Sequence, residues 1–156
     1  MTIDQLYNEA NECTYTTSPK FNRQRAAELF SQVIEMDPKY KSAIFNRAQC
    51  YFALGRYEEY IHDMLEDCNQ NPDTRIKILI ADAYSKMGNH AKALDLLHGE
   101  NLDPQILSVS GLHLRQKLYL AAGKPELAET DRKKAEQYEE EQRKLWDDPN
   151  YYGHYK

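Results

Sequence analysis

Apolar side chains recur at helical spacing along this chain, and glycines interrupt them at a regular beat. Within residues 41–72, Ile44, Ala48, Tyr51 and Leu54 stand at i, i+4, i+7 and i+10, one stripe of an amphipathic helix. Gly55-Arg56 breaks the stripe, and glycine is the least costly residue for a tight turn between helices. Tyr57, Tyr60, Ile61, Met64, Leu65 and Cys68 then resume the helical spacing up to Pro72, which cannot continue a helix. The pattern predicts a helical hairpin folded at Gly55.

The hairpin returns. Tyr51, Tyr84 and Tyr119 are spaced by 84 − 51 = 33 and 119 − 84 = 35 residues, and Gly55, Gly88 and Gly123 by the same intervals. Pro38, Pro72 and Pro104 follow at 34 and 32. A shared period of about 34 residues predicts an array of helix–turn–helix repeats. The boundaries fall at about 3–38, 41–72, 74–104 and 106–146. The first unit is irregular. Between the helix containing Leu6 and Ala10 and the helix with Ala26, Phe30 and Val33 lies Thr14-Tyr15-Thr16-Thr17-Ser18-Pro19, a loop rich in turn residues that adds about four residues to the hairpin. In the third unit, the loop His98-Gly99-Glu100-Asn101 shortens the second helix. The fourth unit has Leu112, Tyr119, Gly123 and Ala128 but no closing proline, so its second helix is expected to run on through Lys133 to Trp146. A last helix with a polar outer face suits the end of an array.

These positions resemble the tetratricopeptide repeat (TPR). In residues 41–72, Ala48 stands at the small position where paired helices approach, Tyr51 at the following aromatic, Leu54-Gly55-Arg56-Tyr57 at the turn and Pro72 at the closing proline. Ala93 supplies the small residue of the second helix in the third unit, and Tyr60 departs from it in the second. The hairpin with Tyr60 must splay, or the ring must find a gap. The resemblance implies an all-α fold: a right-handed superhelical solenoid of about four TPR-like hairpins with a long C-terminal capping helix over residues 1–146. Residues 147–156 form a separate Tyr-rich tail.

Composition narrows the function classes. Forty-one per cent apolar and 29% charged residues, without an 18-residue apolar run or a leader-like start, read as an ordinary cytoplasmic domain with no membrane partner. A formal charge of −5 argues against nucleic acid as partner. Cys13, Cys50 and Cys68 are an odd, widely spaced set, expected to be reduced and packed as small hydrophobes. The five histidines are scattered, no metal-ligand spacing is present, and neither GxxxxGK[ST] nor GxGxxG occurs. No catalytic residue, metal or cofactor is therefore expected. Glu139-Glu140-Glu141 reads as a solvated helix face.

The expected function is recognition of a protein or peptide segment. In the resemblance, the first helix of each hairpin lines a concave groove. The candidate lining is Tyr7 and Asn11 from the first unit, then Ser42, Phe45, Asn46, Gln49 and Phe52. Arg75, Ile78, Leu79, Asp82 and Ser85 follow from the third unit, and Ser110, His113, Leu114 and Lys117 from the fourth. Amides that pair with backbone and rings that supply apolar area suit an extended peptide. The family's carboxylate clamp, which holds the acidic end of a chaperone, implies a partial site here. Asn11 and Asn46 stand at its two asparagine positions and Arg75 at one basic position, whereas Tyr7 and Leu79 replace two cations. Two alternatives to a plain adaptor follow. One is a co-chaperone, through that partial clamp or through Asn150–Lys156, which looks a little like the opening of a J-domain. The other is a structural subunit whose convex face and tyrosine tail are buried in an assembly. The sequence leaves the oligomeric state open.

Overall fold

The computed structural model describes residues 1–70, 74–98 and 108–147, and these carry eight α-helices and no strand. They are α1 (Ile3–Glu12), α2 (Arg23–Met36), α3 (Ala43–Ala53), α4 (Tyr57–Gln70), α5 (Thr74–Lys86), α6 (His90–Leu97), α7 (Val109–Ala121) and α8 (Pro125–Asp147). The expected hairpin fold is what forms. Pro72, Pro104, the loop from Gly99 to Asn101 and the tail from Asp148 to Lys156 lie outside the described residues. The chain divides into two compact units, Met1–Met87 and Gly88–Lys156.

The glycine ladder has a direct physical cause. Gly55, Gly88 and Gly123 have φ of 74°, 76° and 68°. After α3, the Gly55 N–H donates to the Phe52 carbonyl and the Arg56 N–H to the Tyr51 carbonyl. After α7, Gly123 and Lys124 repeat both bonds onto Leu120 and Tyr119. This paired arrangement satisfies the last helical carbonyls and needs a left-handed residue at its centre. The tyrosine ladder runs four residues ahead of the glycines because each Tyr lies one turn before the cap.

In the first unit Leu6 and Ala10 of α1, Ala26, Leu29, Phe30 and Val33 of α2, and Ala43 and Cys50 of α3 form one buried cluster, with Tyr7, Tyr40 and Tyr51 packed on it. The α1–α2 connection is built without glycine. Thr14 and Ser18 donate backbone N–H groups to Asn11 and Tyr15, Phe21 to Ser18, and Asn22 closes the loop on the Cys13 carbonyl at 2.9 Å. The Asn22 side chain then caps α2 through the Arg25 N–H. Tyr60 does find a gap: it is 1% exposed, with its ring centroid 4.9 Å from that of Phe52.

In the second unit Ala93 and Leu97 of α6, Leu112, Leu118 and Tyr119 of α7, and Ala128 and Ala135 of α8 are buried. α6 is only eight residues long and ends at His98 in extended backbone, as the loop signal implied. α8 runs 23 residues, and residues 141–147 are exposed throughout. Glu140 pairs with Arg143 at 2.9 Å, in keeping with a solvated charged face.

Candidate peptide-binding face

Within the first unit the candidate lining comes from α1, α3 and α5. Tyr7 and Asn11 lie one turn apart on α1, and Asn46 of α3 reaches both. Its Nδ2 donates to Tyr7 Oη at 3.2 Å and to Asn11 Oδ1 at 3.3 Å. The Tyr7 ring is held edge-on by Phe30 and Tyr40, with centroids at 5.8 and 5.6 Å. Further along α3, Gln49 is exposed and hydrogen-bonds Tyr60, whose hydroxyl burial pushes up to about 12. Phe52 stands between Tyr57 and Tyr60, and Lys86 of α5 lies over its ring at 5.6 Å while pairing with Asp82 at 3.3 Å. Phe45 and Ile78 are half-buried, and Arg75 and Leu79 are exposed.

Other expected positions are placed differently. Ser85 is 8% exposed and offers no open surface. His113 and Lys117 belong to the second unit, on α7. The His113 ring lies 3.8 Å from Glu139 of α8, and Lys117 is exposed.

At the two asparagine positions the side chains bind each other. At the position of the absent first cation, the Tyr7 ring carries the Lys41 ammonium 4.9 Å from its centroid, and that ammonium is paired with Asp4 at 3.0 Å. The chain reaches this geometry through Lys41 itself, which has a φ of 47°. Asp4 is held below the ordinary carboxylate range by hydrogen bonds from Tyr40 and Lys41.

A depression of about 270 Å3 opens beside this network, lined by Asn11, Thr14, Tyr15, Arg23, Asn46, Gln49 and Cys50. Arg23, Thr14 and Tyr15 were not among the expected site residues, because the α1–α2 loop reads as a connector. The signal available was the extra loop length, which carries the start of α2 onto this face. Burial pushes the Cys50 thiol up to about 11, with Arg23 acting weakly in the opposite direction. Cys13 is raised by burial too. Among the described residues, no group of His, Cys, Asp and Glu is arranged to hold a metal ion, and no helix is long and apolar enough to cross a membrane.

Two bidentate ion pairs, one half-buried and one buried, brace hairpins among the described residues, and no sequence signal announced them. Arg47 Nε and Nη2 donate to the Asp63 carboxylate at 2.8 and 2.7 Å, and Arg115 and Asp131 repeat this at 2.8 and 2.7 Å. Each Arg lies eight residues before its turn glycine and each Asp eight after it (55 − 8 and 55 + 8; 123 − 8 and 123 + 8).

Comparison with known proteins agrees with this architecture. Residues 21–59 match the tetratricopeptide repeat family model. None of the curated proteins compared with the chain matches it. Among solved structures, MamA 41-end from Desulfovibrio magneticus RS-1 is similar with a TM-score of 0.74 at 17% identity, covering 90% of this chain and 77% of that one. A second MamA crystal structure gives 0.74 at 18% identity, covering 92% and 81%. MamA MSR-1 gives 0.70 at 16%, covering 91% and 79%. At these identities the likeness is one of fold.

Proposed function

We propose that this chain is a non-catalytic adaptor that holds an extended segment of a partner protein along the α1, α3 and α5 face of its first unit. The observation that supports it is the row of Asn11, Asn46 and Gln49 beside the half-buried rings of Tyr7, Phe45 and Phe52. Amides offer paired donors and acceptors to a peptide backbone, and the rings offer apolar area at little entropic cost. The experiment is capture of partners by the full chain and by Phe45→Ala/Phe52→Ala, with melting curves as the folding control. Partners of the groove should bind the double variant at least about tenfold more weakly, as loss of aromatic anchors implies. Equal retention of every partner would sink the reading.

A co-chaperone role through the clamp is the weaker reading, because Tyr7 and Leu79 supply no charge where two cations are needed. An acidic chaperone-tail peptide that fails to bind at low salt removes it. A structural role finds support at the end of α8, where Leu145 is 45% and Trp146 60% exposed. Exposed Trp and Leu side chains on a projecting helix suit burial in an assembly. If that role holds, Leu145→Ser/Trp146→Ser should abolish co-purification of the assembly while melting stays unchanged.

A further inference from the structure

We propose that the depression beside Arg23 is a carboxylate subsite that seats a single aspartate or glutamate side chain of the bound segment; this rests on the groove reading above. Of the residues lining the depression, Arg23 alone is charged. Its cationic neighbours are occupied: Lys20 pairs with Glu12 at 2.6 Å, and Arg25 lies 3.9 Å from Glu9 and 3.6 Å from Glu28. No carboxylate among the described residues lies within ion-pair distance of Arg23. Its described contact is the Phe21 ring, 5.3 Å from the guanidinium carbon. That contact uses no N–H···acceptor hydrogen bond, and a guanidinium fork can match a carboxylate bidentately.

The neutral groups around it are arranged to help. Asn46 donates to Asn11 Oδ1, which turns the Asn11 amide so that its own N–H groups have no partner among the described residues. Thr14 Oγ1 donates to the Asn11 carbonyl at 2.7 Å and ties the loop to the end of α1. The loop bond from Asn22 to Cys13, with the Asn22 cap, fixes Arg23 as the first residue of α2. The Asn11 amide and the backbone at Arg23 are thus set before any ligand arrives, which lowers the entropy cost of binding. One cation in a chain of net charge −5 selects one carboxylate in an otherwise neutral segment, because a polyacidic partner is repelled at longer range.

The experiment titrates the full 15N-labelled chain with N-acetyl-glutamate N-methylamide, using N-acetyl-glutamine N-methylamide as the neutral match. The glutamate compound should move the Arg23 Nε–H and Asn11 side-chain amide signals to saturation, and the glutamine compound should not. Arg23→Gln should weaken binding at least about tenfold, since charge-assisted bonds are roughly twice as strong as neutral ones. Arg23→Lys, which keeps the charge without the fork, should fall between. Arg25→Gln should bind as the parent does, and retained amide dispersion in each variant checks folding. Equal shifts with both compounds, no saturation, or indifference to Arg23→Gln overturns the subsite. Tighter binding of N-acetylalanine at the same signals assigns the site to a chain terminus and overturns the side-chain reading. The two readings fail separately. Partner loss in Phe45→Ala/Phe52→Ala with no effect of Arg23→Gln leaves the groove and removes the subsite. Partner retention with Arg23-dependent glutamate binding does the reverse.

Discussion

The hairpins α3–α4 and α7–α8 have the same turn and the same bidentate Arg–Asp pair, yet they surround that pair differently. Arg47 and Asp63 have side chains 19% and 3% exposed, against 7% and 5% for Arg115 and Asp131. Each arginine has a third bond to the preceding helix. Arg47 Nη1 donates to Ser31 Oγ of α2 at 3.0 Å, and Arg115 Nη1 to the Leu97 carbonyl of α6 at 3.2 Å. One guanidinium therefore joins three helices in each case. Five residues past the turn glycine the hairpins diverge, with Tyr60 in one and Ala128 in the other, 1% exposed in both. The ionic brace is common to the two hairpins, whereas the apolar filling between their helices is tuned separately.

The largest effect should come from breaking the drier brace. Asp131→Ala leaves the Arg115 charge buried without a counterion and should cost about 4 kcal/mol in urea unfolding. Asp63→Ala should cost about 2 kcal/mol, because the Arg47 guanidinium has a route to water. Equal costs would show that exposure does not set the difference. Replacing both partners, as Arg115→Ile/Asp131→Leu, should be close to neutral.

Next is the filling. Tyr60→Ala removes a buried ring that packs on Phe52 and should destabilise by about 3 kcal/mol. Ala128→Tyr tests the converse and should cost about 2 kcal/mol by overpacking. If Ala128→Tyr is neutral, the α7–α8 hairpin has the same gap as α3–α4, and the contrast between them disappears.

Much of the fold was legible because the turn glycines are constrained by backbone geometry and the tyrosines stand at a constant offset from them, which leaves a fixed period in the sequence. Tyr60 was legible as a departure but not as an outcome, since only packing against Phe52 shows that the ring fits. The Arg–Asp braces were written at a fixed offset from the glycines. They stayed hidden because charged residues on helices usually face solvent, and burial cannot be read from residue type. Tyr7 and Asn11 were legible as neighbours through helical spacing, and Asn46 joined them only through the resemblance to the repeat family. Arg23 was not, because loop geometry brings it to that face and no periodicity encodes the loop.

Alkaline pH tests the acids buried in the first unit. Cys50 and Tyr60 of the first unit are raised from 9.0 to about 11 and from 10.0 to about 12 by burial. The folded state keeps these protons when the unfolded chain has released them. Stability is thus intact below pH 9 and is lost as pH rises through the folded values. Melting temperature should fall from about pH 9 upward, and Cys50→Ala/Tyr60→Phe should flatten the decline. An unchanged slope in that variant would place the loss on other groups, Tyr119 of the second unit among them, since burial raises it too.

The smallest effect is the one on which the two hairpins should agree. Gly55 and Gly123 occupy the same cap with φ of 74° and 68°, and a Cβ on either meets nothing within 4 Å. Space is therefore not the constraint at these turns; the left-handed backbone is. Gly55→Ala and Gly123→Ala should each cost about 1 kcal/mol, the price of an L side chain in that region. Asn at either position should recover part of the loss, because its side chain tolerates the left-handed conformation. Unequal costs at the two glycines would mean that the cap itself differs, and that the inequality between the braces begins at the turn rather than at the buried carboxylate.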